Sequence, residues 1–324
     1  MKAIIPAAGV GERLRPLTLT RSKVLLPVAG KPIIGHIYDR LALTGIKDVT
    51  VIIGYYGEQV REYSLKNYNF NFTFVEQNER CGLGHAVGLG LNPNDGPVMI
   101  ILGDVILELD FKKLSSSSEN LIGVMPVEDP RRFGIVEMKA GKVVRLVEKP
   151  SSSTSNLAIA GIYLIQKGAL LKKAVEYIIS ANIKTKGEYQ LTDALQKMLE
   201  WGETFQVIDI EHNLDCGTRK TLLETNAYLL NKNPQPLPNL PEAVIIPPVY
   251  IGHDAVIKRS IVGPNVHLGS ATQVMNSVLS NSIISDGAIL RDVVLNESLI
   301  GQKSQVSGIV QQIDTADYTV QKLS

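Results

Sequence analysis

Directly after a short β-rich run at its N-terminus the chain reads Ala7-Ala8-Gly9-Val10-Gly11-Glu12-Arg13-Leu14-Arg15. Glycines in such a turn let backbone N–H groups approach phosphate oxygens, and an arginine adds a bidentate cation where the ligand has lost its water. A second cation, Lys23, follows a short loop later in Ser22-Lys23-Val24-Leu25-Leu26-Pro27. The pattern suits polyphosphate binding, although a tight turn with solvated arginines would have the same local sequence. Asp104 follows the aliphatic run Val98-Met99-Ile100-Ile101-Leu102, and ligands of open α/β sheets bind at the carboxyl ends of strands. Asp215 precedes a predicted helix, where it is either part of the N-cap region or a second acidic ligand. Gln77 offers one acceptor and two donors at the end of a predicted strand, where by itself it reads as a solvated amide. Cys81 and Cys216 stand alone, and the five histidines are not arranged for zinc.

These residues need a scaffold, and the composition supplies one. A length of 324 residues with 44% hydrophobic content and a mean hydropathy of +0.08 predicts about two packed domains. Thirty-three Lys and Arg against 32 Asp and Glu leave a net charge of +1, so no long-range field favours nucleic acid or a membrane as a partner. Any anion must be bound locally. The opening apolar run is interrupted by Pro6 and Gly9, and two cysteines make no disulfide framework. A soluble, reducing, cytoplasmic setting is the expectation.

From residue 1 to 232 β-rich runs alternate with amphipathic stretches, the pattern of a layered α/β domain. Strands are predicted at 2–5, 48–53, 70–75 and 98–102, with a crossover helix at 32–43 that uses Pro32 as its first residue. After Gly103 the chain is richer in strands, and the sheet is expected to turn mixed or antiparallel. Helices are predicted at 169–180, 191–201 and 218–231, with a strand at 204–210 between the last two. A proline-rich connector, 233–242, marks the domain boundary.

Beyond it aliphatic residues recur every five or six positions: Ile251, Ile257, Val262, Leu268, Val274, Leu279, Ile284, Leu290, Leu295, Ile300 and Val306. Small or β-branched residues often stand four places later, at Ala255, Val266, Thr272, Val278 and Ala288, and Val293 stands three after Leu290. The period is that of a parallel β-helix whose triangular coils each use three repeats, here over 243–310, with a tail at 311–324.

The string Pro6-Ala7-Ala8-Gly9-Val10-Gly11-Glu12-Arg13-Leu14-Arg15-Pro16-Leu17-Thr18, continued by Ser22-Lys23 and Gly30-Lys31-Pro32, resembles the opening signature of the sugar-1-phosphate nucleotidylyltransferases. It departs at Glu12, where the family usually has threonine, and at Ser22, where most members have proline. Gln77 with Gly82-Leu83-Gly84-His85-Ala86-Val87, Leu102-Gly103-Asp104, Glu148-Lys149-Pro150, Gly161-Ile162-Tyr163 and Leu214-Asp215-Cys216-Gly217 follow in the family's order. The resemblance implies a Rossmann-like mixed-sheet catalytic domain followed by a short left-handed parallel β-helix. It implies catalytic cations Arg13 and Lys23, and nucleotide contacts from Ala8, Gly9, Gly11, Gln77 and Gly82. The sugar phosphate would meet Gly134, Glu148, Lys149 and Tyr163, with Glu188 and Asp193 as weaker candidates. Asp104 and Asp215 would hold Mg²⁺, a hard cation suited to few carboxylates plus phosphates and waters.

The activity so implied is transfer of a nucleotidyl group from a nucleoside triphosphate, dTTP or UTP favoured, to a sugar 1-phosphate, glucose 1-phosphate favoured. The implied partners are these small substrates and further copies of the chain, associated through the β-helix. Two rivals stand beside it: a bifunctional enzyme with acyl transfer in the β-helix, where His253 and His267 are candidate bases, and a non-catalytic subunit that binds nucleotide or sugar phosphate as a regulator.

Overall fold

The computed structural model describes residues 1–152 and 154–308, so the tail at 311–324 lies outside the described residues. The chain forms two compact units, Met1–Thr225 and Asn226–Ser324.

In the first unit nine strands make one sheet. Strand β1 (Lys2–Pro6) pairs in parallel with β2 (Asp48–Ile53), and β2 with β3 (Asn71–Glu76). On its other side β1 pairs in parallel with β4 (Val98–Ile101). A separate ribbon strand, β5 (Val105–Glu108), comes next in the chain. The remaining strands turn the sheet mixed, as the sequence suggests. Strands β6 (Leu121–Pro126), β7 (Gly134–Lys139) and β8 (Lys142–Glu148) lead to the long β9 (Leu157–Ile165), which runs antiparallel to β4, β6 and β7. The order across the main path is β8-β7-β9-β4-β1-β2-β3, and β10 (Gln206–Asp209) joins in parallel to β6. The ribbon is closed by β11 (His212–Asp215), antiparallel to β5.

Successive residues of β1 serve opposite faces. Ile5 belongs to a core with Ile34, Tyr38 and Leu41 of helix α1 (Ile33–Ala42), on the face that Val60 of α2 (Gly57–Asn67) also covers. Ile4 belongs to a second core with Val87 of α3 (Leu83–Gly90), Leu171 and Val175 of α4 (Gly168–Ser180) and Leu195 of α5 (Leu191–Glu200). Burial on both faces explains why the central strands are continuously aliphatic rather than alternating.

One sequence expectation needs correction, and two elements were not anticipated. Pro32 is the residue before α1, with extended backbone (φ −61, ψ 153), and it pairs with Pro27 in a two-residue hairpin, so the helix starts at Ile33. The stretch after Gly82 is a helix although Gly84, Gly88 and Gly90 lower its propensity. Its glycines serve close packing: a β-carbon would lie 2.9 Å from the Gln190 carbonyl at Gly84, 2.6 Å from Val175 at Gly88 and 3.1 Å from Ile4 at Gly90. Asp215 ends a strand, β11, rather than standing in a loop before the last helix, α6 (Arg219–Lys232).

The second unit holds three four-stranded parallel sheets wound as a left-handed β-helix. The sequence repeat is in register across the coils. Ile251, Leu268, Ile284 and Ile300 stack in one column. Ile257, Val274, Leu290 and Val306 stack in the second, and Val262, Leu279 and Leu295 continue Ile245 in the third. All eleven predicted aliphatic positions belong to the solenoid's core or pack against it. Val266, Thr272 and Ala288 are buried as well, whereas Val278 faces outward at 38% exposure, because its strand neighbour Leu279 takes the inward place. The proline-rich segment is irregular, and its Leu237 and Leu240 pack against the solenoid core.

Candidate active site

The carboxyl ends of β1, β3 and β4 open onto one cavity of about 680 Å³. Strand β1 delivers the glycine-rich turn. Gly11 adopts a left-handed conformation (φ +70) that starts a single 3₁₀ turn, Glu12–Leu14, and presents Arg13. A side chain at Gly11 would meet Lys23 Cβ and Thr18 Cγ2 at 3.0 Å, and the buried Thr18 hydroxyl donates to the Gly11 carbonyl at 2.8 Å, which fastens the turn. Around Gly9 a β-carbon would meet nothing within 4 Å, so its backbone faces open space. That is the arrangement a polyanion needs to reach main-chain N–H groups.

Lys23 enters from the loop that follows, nearly buried at 8% side-chain exposure, and its ammonium lies 2.5 Å from Asp104 Oδ2. Asp104 sits in the turn between β4 and β5. Its backbone carbonyl accepts from Cys216 N at 3.0 Å, so the β5–β11 ribbon brings Asp215 alongside. Asp215 Oδ1 accepts from Gly217 N at 2.9 Å. A β-carbon at Gly217 would lie 2.8 Å from that same oxygen and 3.4 Å from Arg13 Nη2, so the arginine, the aspartate and the bare glycine converge. Cys216 is wholly buried behind them, and burial pushes its thiol far above its usual range, which makes it no nucleophile.

At the end of β3, Gln77 is 9% exposed, and its amide nitrogen faces the Gly82 carbonyl and His85 Nδ1. Gly82 takes φ +109, and a side chain there would strike the Tyr189 carbonyl at 2.6 Å.

Of the predicted residues, Ala8, Gly9, Gly11, Arg13, Lys23, Gln77, Gly82 and Asp104 line this one cavity, and Asp215 abuts it through Gly217. The sugar-phosphate candidates form a second group. Glu148 Oε2 accepts from the Thr192 hydroxyl at 2.7 Å, and Lys149 Nζ lies 3.3 Å from Glu148 Oε1. A β-carbon at Gly134 would sit 2.7 Å from Thr192 Oγ1 and 2.9 Å from Glu148 Oε2, so only glycine admits that hydrogen bond. Tyr163 is buried in the core with Val136 and Ile159, and burial followed by the charge of Glu148 raises its hydroxyl well above the usual range.

The start of α5 reaches towards both groups. Glu188 lines the cavity and accepts from Gln190 at 3.0 Å, and Thr192 holds Glu148. Beside it Asp193 has one buried oxygen, Oδ2, without a hydrogen-bond partner. Burial raises the Asp193 carboxyl above its ordinary value, a hydrogen bond from Thr185 opposes the shift, and the charge of Glu148 adds to it.

Sequence reasoning missed three contributors. Arg80 lines the cavity, and its only signal is a cation between Gln77 and Gly82. Thr192 was hidden in a string whose acids drew attention, and Gly217 in a string read for its aspartate. Glu12, noted only as a departure, also lines the cavity. Among the described residues no helix is long and apolar enough to cross a membrane. No group of three or more His, Cys, Asp or Glu among them is placed to hold a metal, so any ion here would rest on Asp104 and Asp215 with ligand oxygens completing its shell.

A family model described as nucleotidyl transferase matches residues 2–232. The chain is 33% identical over 243 residues to a bifunctional protein GlmU of Methanococcus vannielii, covering 73% of this chain and 56% of that relative. It therefore spans little more than half the length of such relatives. It is 29% identical over 338 residues to a glucose-1-phosphate thymidylyltransferase of Streptomyces antibioticus, covering 95% of this chain and 94% of that one. Among solved structures, a UDP-glucose pyrophosphorylase complexed with UDP-glucose shares the fold with a TM-score of 0.62 and 23% identity, over 72% of this chain and 99% of that chain. The glycine-rich turn, the paired lysine and aspartate and the mixed sheet all lie within residues 2–232, the span that model matches, and the chain belongs to the nucleotidyl transferase family.

Proposed function

We propose that the protein transfers a nucleotidyl group from a nucleoside triphosphate to a sugar 1-phosphate and releases pyrophosphate. The observation that carries this reading is the convergence of the open glycine turn, Arg13, Lys23 and Asp104 in one cavity that Gln77 and Gly82 also line and that Asp215 abuts through Gly217. dTTP or UTP is the favoured nucleotide and glucose 1-phosphate the favoured sugar.

A phosphate oxygen of the sugar 1-phosphate attacks the α-phosphorus, the bond from the α-phosphorus to the bridging oxygen breaks, and pyrophosphate leaves with the electron pair. No protein nucleophile is needed, because the attacking oxygen is already anionic. The residues position and neutralise: the turn at Gly9–Gly11 offers N–H groups to the triphosphate, and Arg13 and Lys23 meet charge that builds on the leaving group. Glu148 accepts hydroxyls of the sugar while Lys149 meets its phosphate. Asp104 and Asp215 are the residues that would hold Mg²⁺, which supplies charge neutralisation on the phosphates when bound.

Pyrophosphate release across a matrix of nucleoside triphosphates and sugar 1-phosphates, with and without Mg²⁺, tests this. Turnover with a pyrimidine triphosphate and a hexose 1-phosphate is the expected result. Binding without turnover in every pair would replace it with the regulatory-subunit reading.

A second reading, added acyl transfer in the β-helix, is favoured by the bifunctional name of the archaeal relatives. His253 is exposed there, whereas His267 is 3% exposed and stacks on Tyr250 with ring centroids 5.1 Å apart, a packing role. Acetyl transfer from acetyl-CoA to an amino-sugar phosphate would establish it. Association of copies through the β-helix and a cytoplasmic location belong to the same proposal.

A further inference from the structure

The lining of the cavity contains one side chain whose orientation decides what it recognises. Nε2 of Gln77 lies 3.4 Å from the carbonyl oxygen of Gly82 and 3.2 Å from Nδ1 of His85. A backbone carbonyl only accepts, so the end of the carboxamide that faces it must be the nitrogen; the opposite orientation would set two oxygens against each other. With the nitrogen so placed, its second N–H points to His85, whose Nδ1 must then carry a lone pair and its Nε2 the proton. Both donors of Gln77 are thus spent on the protein. Its acceptor, Oε1, has no hydrogen-bond partner among the described residues, and Gln77 lines the cavity.

His85 does not line the cavity itself. It stands on the first turn of α3, which is held in place by Gly84 N donating to the Tyr189 carbonyl at 2.8 Å and Ala86 N donating to the Gly82 carbonyl at 3.1 Å. A ring on a fixed turn, behind a side chain that meets the ligand, is placed to orient that side chain.

We infer that His85 is a positioning residue for nucleotide selection. By holding the nitrogen of Gln77 it leaves a lone acceptor facing the ligand, which favours a base presenting an N–H at that edge. The imide N3–H of uracil or thymine satisfies that acceptor; cytosine, whose N3 carries a lone pair, sets acceptor against acceptor. The selection comes mainly from the penalty on the wrong base, since a buried acceptor left unpaired costs more than a formed hydrogen bond gains. This inference rests on reading the cavity as the nucleotide site.

The test is equilibrium binding of UTP, dTTP and CTP to the full-length protein, measured apart from turnover, for the wild type, His85→Asn, His85→Leu and His85→Ala. Asparagine places an amide oxygen near the position of Nδ1 and keeps the acceptor; leucine keeps volume without one. The wild type is expected to prefer UTP over CTP by about 100-fold or more. His85→Leu and His85→Ala should lower that ratio by about tenfold, and His85→Asn should hold it within about threefold of the wild type. Melting curves show that each variant is folded, and alanine serves if leucine disturbs α3. An unchanged ratio in His85→Leu and His85→Ala overturns the inference. So does a loss in His85→Asn as large as that in His85→Leu, or a wild type that binds UTP and CTP alike. Selective UTP binding with no pyrophosphate release from any substrate pair would overturn the proposed reaction and leave the role of His85 standing. Turnover with equal affinities would do the reverse.

Discussion

The two units use the left-handed backbone region in opposite ways. In the solenoid it falls at the corners and repeats from coil to coil: Arg259, Asn276 and Asp292 at one edge, Asn265, Asn281 and Glu297 at another. Their side chains link neighbouring coils, Asn265 donating to Asn281 and Asn281 to Asn296, both at 2.9 Å. In the first unit the same conformation is scattered without period, and three of its positions, Gly11, Gly82 and Lys149, stand among the candidate ligand contacts. Where a costly conformation recurs with the fold, it builds the fold; where it is unrepeated, it serves single turns, a few of which lie at the candidate site.

That contrast predicts that single substitutions in the first unit damage chemistry more than stability, and that the reverse holds in the second. The strongest test is Asp104→Asn or Asp215→Asn, each expected to reduce turnover by about 10³-fold or more; Asp215→Asn should leave the melting temperature little changed, whereas Asp104→Asn also strips the nearly buried Lys23 ammonium of its partner and should lower it. Near-normal pyrophosphate release at limiting Mg²⁺ would break the assignment. Arg13→Ala and Lys23→Ala should each cost about 10²- to 10³-fold, mainly in turnover. A change confined to the KM of the sugar phosphate would move them to another subsite.

In the solenoid, Leu279→Ala removes a fully buried side chain and should cost about 2 to 5 kcal/mol of that unit's stability by calorimetry, with pyrophosphate release at low temperature retained. Substantial loss of activity in the folded variant would join the units functionally and end the contrast.

His36 probes the first unit's core. Burial lowers its pKa from 6.5 to about 4, outweighing the hydrogen bond to the Val28 carbonyl. The unfolded chain therefore binds a proton more readily than the folded one. Stability should be full above about pH 6.5 and fall as the pH drops towards 4, by about 3 kcal/mol at most. Denaturant titrations of the wild type and His36→Gln across that window measure it, the variant giving the flatter profile. The smallest effect is expected at Gly134→Ala, where a methyl group would press on Thr192 Oγ1 and Glu148 Oε2. A rise of about tenfold in the KM of the sugar phosphate, with the KM of the nucleotide unchanged, is the outcome that fits.

What the sequence made legible follows from the same contrast. The solenoid's columns could be read from a period because each aliphatic residue answers to neighbours one coil away, and the single error, Val278, is a shift of one place along a strand. The glycine turn, Gln77 and Asp104 were readable because strand ends announce themselves. Helix α3 was not: its glycines answer to Gln190, Val175 and Ile4, all remote in sequence, and no local rule anticipates such partners. The ribbon that carries Asp215 was hidden for a similar reason. His212-Asn213-Leu214-Asp215 has little strand propensity, and pairing with Val105–Glu108 is what makes it a strand. Thr192 and Arg80 were legible as residue types only, since the roles they take come from what tertiary contacts set opposite them.

The stacked columns of the solenoid also constrain how such a chain can change its length. Ile251, Leu268, Ile284 and Ile300 follow one another at nearly constant separation, each resting on the coil before it. The first of these steps is 17 residues and the next two are 16, yet the columns stay in register, so a residue gained or lost at a corner is absorbed there, whereas one lost within a three-residue strand would turn its aliphatic side chain outward. The strands of the solenoid are thus fixed in register while its corners take up single residues, and columns so built can gain a coil without altering a residue that lines the candidate cavity.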